Sequence, residues 1–193
     1  LCKGSWLRYA ARALSGLAAR ASGGAQEAAK ALKHFLGYCA ANPGATVMRN
    51  ASGMILRSHP GAACLVAPVA RPRAGGRAFL GSKPSSKSQA SNGFISVIAK
   101  VTKHAMAPAA EAEIAALFMS ARDLLPLRVA LEELGHPQPP TPMQAGSSAA
   151  SGIANGAFKQ GRSKAIGMRF YWLAGRAQQG QFNVYWGSGK KNL

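Results

Sequence analysis

Carboxylates are where metal or acid–base chemistry would start, and this chain has six: Glu27, Glu111, Glu113, Asp123, Glu132 and Glu133. Five of the six fall between residues 111 and 133, and Asp123 is the sole aspartate. Glu111 and Glu113 sit two positions apart. On a helix that is about 200° of rotation, so the two cannot readily share one ion. A hard divalent cation needs several clustered oxygens, and few are on offer. Cys2, Cys39 and Cys64, like His34, His59, His104 and His136, are scattered without the spacing of zinc ligands. The cysteines read as free thiols in a reducing compartment. Ser147 and Ser148 have no nearby pairing of His with an acid to activate them as nucleophiles.

Cations are abundant instead. There are 24 Lys and Arg in 193 residues, for a formal net charge of +18. From Leu134 to Leu193 there are seven Lys or Arg and no acid. Such a chain attracts polyanions, nucleic acid first and an acidic membrane surface second. "RPRAGGR" places Arg71, Arg73 and Arg77 beside two glycines, as a phosphate-contacting strand and turn or as a solvated hairpin edge. "KQGRSK" sets Lys159, Arg162 and Lys164 at the start of a helix, where a phosphate is welcome. Arg169 opens the aromatic string "RFYWL". Lys190 and Lys191 close "GSGKK", a basic tail that lacks the spacing of a Walker loop. The aromatics of "RFYWL" and "VYWG" could stack on bases, but core packing is the commoner use of such clusters. Tyr171 is the one singled out for exposure.

These residues need elements to hold them. Residues 5–20 have an apolar side made of Trp6, Tyr9, Ala13, Leu14 and Leu17, and "SGGAQ" ends that helix. A second helix is expected over about 26–41 from the spacing of Ala28, Ala31, Leu32, Phe35, Leu36 and Cys39. "ATVMRN", "GMILRSH", "RAGGRAFLGS" and "NGFISVIAKV" are β-prone and predict three or four neighbouring antiparallel strands. A long helix then starts near Pro108, with Ile114, Leu117, Phe118 and Ala121 as its stripe. Pro126 should kink or restart it, and Gly135 should end it. "TPMQ" is a strand, and Ser147 or Ser148 caps the short helix after it. A helix over about 162–179 and a last strand in "QFNVYWG" complete the order β-β-β-α-β-α-α-β. That is an α/β (α+β layer) arrangement behind a helical N-terminal piece. No run of about 18 apolar residues could cross a membrane as a helix.

Taken in order, several strings resemble the ribonuclease H domain of copia-type LTR retrotransposon polyproteins. They are "ASGMILRSHPGAA", "ARPRAGGRAFL", "AAEAEIAALF", "LEELGHPQPPTPMQ", "KQGRSKAIGMRFYWL" and "GQFNVYWGSGKKNL". "AKALKHFLGYCAANPGA" resembles the connection segment that precedes this domain in the same polyproteins. The resemblance implies a ribonuclease H-like mixed sheet flanked by helices over residues 45–193, with a basic helical connection segment over 1–44. It also implies a short acidic and aromatic continuation beyond "KKNL".

In that family four carboxylates hold two Mg²⁺ ions on the scissile phosphate. Two divalent ions about 4 Å apart need several anionic oxygens to offset their repulsion. Carried over residue by residue, the first-strand acid falls at Gly61, the helix acid at Glu113, the next at Gly146 and the late-helix acid at Gly167. Three of the four are glycine. His59 and Asn155 are the nearest replacement ligands, and they do not restore three lost charges. The implied protein has no intact catalytic set, no metal and no other cofactor, Mg²⁺ belonging only to a residual nuclease. It binds nucleic acid, RNA favoured, through Arg71, Arg73, Arg77, Lys159, Arg162, Lys164, Arg169, Lys190 and Lys191. One version is a subunit of a large ribonucleoprotein such as an organellar ribosome, since the basic, acid-free N-terminus resembles a transit peptide. The alternatives are a residual Mg²⁺-dependent ribonuclease H, and a structural subunit whose charge meets an acidic protein.

Overall fold

The computed structural model describes residues 5–20, 25–63, 72–83, 92–102, 109–156 and 164–187. The elements are α1 (Ser5–Arg20), α2 (Ala25–Ala41), β1 (Ile55–Ala63), β2 (Arg73–Gly81), β3 (Phe94–Val101), α3 (Ala109–Glu133), β4 (Thr141–Ala145), α4 (Ser148–Ala154), α5 (Lys164–Gln178) and β5 (Phe182–Trp186). The strands form one sheet in the order β3-β2-β1-β4-β5. β1 and β2 pair antiparallel from Ile55 opposite Gly81 to Ala63 opposite Arg73. β2 and β3 are also antiparallel, with an irregularity at Ala78/Phe79. β1–β4 and β4–β5 are parallel, as crossovers through α3 and through α4–α5 require. This is the mixed sheet flanked by helices that the sequence implied.

Strand alternation decides which side chains meet α3. In β1, Leu56 and Ser58 are buried while Arg57 and His59 are only half-buried, so even positions face the helix. Leu56 packs with Ile114, Leu117, Ala121 and Leu124 of α3, with Met143, and with Leu173, Phe182 and Val184. β3 is an edge strand, and α1 packs against it. α2 buries none of its residues.

Two expectations need correction. "ATVMRN" (45–50) is not a strand. Side chains replace its ladder: Asn92 Nδ2 donates to the Asn50 carbonyl at 2.9 Å and its Oδ1 accepts from the Asn50 N–H at 2.8 Å. Arg49 also donates to the Phe94 carbonyl through Nε and Nη2. Pro126 does not restart α3, which is unbroken from Ala109 to Glu133. Both Pro126 and Arg122, whose carbonyl the proline leaves unpaired, lie on the exposed side, where water can take the lost bond. The helix ends as expected. Gly135 has φ 84°, and the His136 N–H reaches the Leu131 carbonyl at 2.9 Å.

The lead into β4 is held by two residues that no periodicity or motif marks. Gln138 is buried; its Oε1 accepts from the Leu56 N–H and its Nε2 donates to the Met54 carbonyl, both at 2.9 Å. Arg128 donates to the carbonyls of Gln138 and Pro139 and to Thr141 Oγ1, and pairs with Glu132 at 3.1 Å. Arg128→Ala should therefore cost about 2–3 kcal/mol, the scale of losing several charge-assisted hydrogen bonds to partly buried groups. A thermal melt checks it: the midpoint should fall by roughly 5–10 °C.

Candidate nucleic-acid interface

The C-terminal ends of β1 and β4, the first turns of α3 and the middle of α1 meet around a cavity of about 460 Å³. Gly61, Glu113 and Gly146 all line it, so three positions far apart in sequence share one site. Gly167, in the first turn of α5, does not line it. Glu113 turns back over the strand ends. Its Oε1 accepts from the Ala62 N–H at 3.2 Å, and the Gly146 amide also donates to this carboxyl. Its Oε2 is buried without a partner. Burial pushes the Glu113 carboxyl above its usual range, against the pull of those two N–H groups.

The glycines leave space where side chains could stand. A β-carbon built on Gly146 would lie 3.4 Å from Glu113 Oε1, and one built on Gly61 would meet nothing within 4 Å. Position 146 therefore faces Glu113, position 61 opens onto free space at the cavity wall, and neither supplies a ligand. A two-Mg²⁺ set does not fit these residues. One carboxylate cannot offset two divalent charges, and the described residues contain no cluster of three or more His, Cys, Asp or Glu suited to a metal.

Among the described residues, the charged ones lining the cavity are Arg12 from α1, His59 from β1, Arg73 and Arg77 from β2, and Glu113 from α3. β3 contributes the apolar wall of Val97, Ile98 and Ala99. Arg77 Nη2 lies 3.1 Å from His59 Nδ1. A guanidinium can only donate, so Nδ1 is the acceptor and the ring proton sits on Nε2. Burial first, then Arg77 and Arg57, lower the His59 pKa from 6.5 to about 4. A neutral imidazole whose Nδ1 is already occupied is not a free metal ligand. Asn155 is no substitute either: its Nδ2 donates to the Val184 carbonyl at 2.7 Å, tying α4 to β5.

These two groups give the protein opposite acid responses. His59 is protonated in the unfolded chain before the folded one, so its contribution is intact above pH 6.5 and is lost as pH falls towards about 4. Glu113 has a raised pKa, so its buried charge costs stability at neutral pH, and acidification towards its ordinary 4.5 relieves that cost. Melts between pH 7 and 4 should show a flatter acid limb for His59→Asn and a steeper one for Glu113→Gln.

The other predicted basic residues divide. The two glycines of "RPRAGGR" lie inside β2 and not in a turn. Gly76 is there for close packing, since a β-carbon would come within 2.6 Å of Ser120 Oγ on α3. Arg73 Nη1 donates to the Arg12 carbonyl at 3.0 Å, pinning α1 to the cavity rim. Arg169 is elsewhere: its guanidinium lies 6.0 Å from the Phe118 ring centre, in a second cavity with Lys100 and Arg122. Lys164 begins α5, but its side chain is outside the described residues, as are Arg71, Lys159, Arg162, Lys190 and Lys191. Tyr171 is 69% exposed. Tyr185 and Trp186 are exposed too, against the core packing expected for "VYWG". Only Phe182 and Val184 of that strand are buried. Arg12 escapes sequence reasoning because "LRYAARAL" carries no sign of which tertiary surface its helix will cover.

No family model matches this sequence, and no curated protein does. Solved structures do match. Ribonuclease H1 LC11, isolated from compost by a metagenomic approach, aligns at TM-score 0.52 and 12% identity, over 72% of this chain and 88% of that one. The same enzyme in complex with an RNA/DNA hybrid aligns at TM-score 0.50 and 12% identity, over 71% and 88%. The ribonuclease H domain of prototype foamy virus aligns at TM-score 0.39 and 14% identity, over 71% and 78%. The fold is ribonuclease H-like.

Proposed function

We propose that this is a catalytically inactive ribonuclease H-like protein of retroelement origin that binds nucleic acid, RNA in preference, without metal. The observation that carries the reading is the cavity in which Gly61, Glu113 and Gly146 converge. Two positions that could hold acids have no side chain there, and three arginines line the same space. A carboxylate cluster without metal repels a phosphate backbone. A cleft with three guanidiniums and one carboxylate attracts it, and each contact releases counterions. Solved ribonuclease H1 bound to an RNA/DNA hybrid offers the same kind of ligand by analogy of fold. A place in a ribonucleoprotein accords with the charge of +18.

Binding and cleavage test it together. Single-stranded RNA should bind equally well in EDTA and in Mg²⁺. With about five phosphates neutralised, log K should fall against log salt with a slope of roughly −3.5. An RNA/DNA hybrid should survive incubation in Mg²⁺ uncut. Mg²⁺-dependent cleavage that disappears in Glu113→Ala would replace this reading with a residual nuclease. Absent or salt-insensitive RNA binding would favour a structural subunit with an acidic protein partner.

A further inference from the structure

The cavity is walled on one side by the N-terminal helix. α1 lies against its β2–β3 side, with Ala11 and Arg12 in the lining, and the Arg73–Arg12 hydrogen bond holds that helix in place. What remains is a recess of about 460 Å³, within the roughly 300–1,000 Å³ usual for small-ligand sites. That volume suits one nucleotide and not a duplex. Its walls divide chemically. Arg12, Arg73 and Arg77 supply three positive charges against one carboxyl, a net of +2 with Glu113 ionised, while Val97, Ile98, Ala99 and Pro60 are apolar. Gly61 adds no side chain to the recess, so a ligand can approach the β1 backbone there.

Building on the nucleic-acid reading, we infer that the recess binds a nucleoside phosphomonoester without metal. The phosphate sits against the arginines, and the sugar and base lie along the β3 wall. The charge logic of the site is then inverted. Glu113, the helix acid by family resemblance, becomes, among the described residues of the recess, the one group that opposes the ligand. Arg77 is oriented by His59 and Arg73 by α1, which fixes both guanidiniums before the phosphate arrives and lowers the ordering cost of binding. The phosphate could belong to the end of an RNA strand or to a free mononucleotide.

The test uses the full chain in EDTA. The probes are a short single-stranded RNA with a 5′-monophosphate, the same RNA with a 5′-hydroxyl, and AMP. The phosphorylated RNA should bind about 10- to 100-fold tighter than its hydroxyl counterpart, the effect of one or two charge-assisted hydrogen bonds, and AMP should displace it. Arg73→Gln and Arg77→Gln, each checked by thermal melt for an intact fold, should collapse that ratio. Glu113→Gln should raise it, a sign opposite to that of any metal site. If the two RNAs bind equally and AMP does not bind, the recess proposal fails while nucleic-acid binding stands. AMP binding with neither RNA bound supports the recess as a free-nucleotide site and sinks the proposed function. If nothing binds, both fail.

Discussion

On the proposed reading, aspartates placed at positions 61 and 146 should make nucleic-acid binding depend on Mg²⁺. In Gly61→Asp/Gly146→Asp the new carboxyls have room, with open space at 61 and 3.4 Å contact with Glu113 Oε1 at 146. Room is not comfort. The carboxyl introduced at position 146 would stand against Glu113, and two like charges so close cannot both ionise without cost. Glu113 is already pushed towards its neutral form by burial alone. In EDTA the double variant should melt about 5–10 °C lower than the parent, the scale of a few kcal/mol in a chain of this size. Its RNA affinity should fall by about tenfold or more, because two negative charges would face the phosphates that the arginines attract. Added Mg²⁺ should restore much of both losses in the variant and change neither property of the parent. Calorimetry in EDTA and in Mg²⁺, with RNA titrations in each, reads both effects. If the parent gains as much from Mg²⁺ as the variant does, a metal already has a site there, and the inactive reading is wrong.

The fold is legible in the sequence because its signals are local and redundant. The stripe of Ile114, Leu117 and Ala121 fixes one face of α3, and that face is buried. "TPMQAGSS" reads as strand, turn and cap, and Ser147 does accept the Ala150 N–H at 3.3 Å. Legibility ends where a side chain takes over a backbone role. Asn92 standing in for a ladder at Asn50 has no periodicity to detect. The site is only half legible. Glycines at 61 and 146 stand out against a family pattern, but what fills their surroundings is a tertiary matter. Arg12 reaches the recess because α1 packs on β3, and His59 is out of play because Arg77 occupies it. Neither follows from spacing along the chain. The charge that dominates the sequence is spread over it, whereas among the described residues three of those cations line the recess.

A second large effect should come from a glycine with no part in the chemistry. Gly93→Ala should cost about 2–4 kcal/mol and lower the melting midpoint by roughly 5–15 °C. A β-carbon at Gly93 would overlap the carbonyl oxygen of Met48, lie 2.9 Å from its carbonyl carbon and 2.8 Å from Val47 Cγ1. Carbonyl atoms of the main chain cannot swing aside like the end of a side chain, so the 47–48 segment would have to move as a unit. Its neighbours resist that movement. Arg49 is tied to the Phe94 carbonyl, and Asn50 is tied at both its N–H and its carbonyl to Asn92. Separating them would leave the Phe94 carbonyl without the Arg49 donor and weaken the hold of this segment on the start of β3. Gly37→Ala and Gly44→Ala are the controls, since a β-carbon at either position meets nothing within 4 Å. Both should melt within a few degrees of the parent. A Gly93→Ala midpoint as close to the parent as theirs would mean that residues 45–50 are not docked on the sheet. The reason that segment needs no ladder of its own would then fall with it.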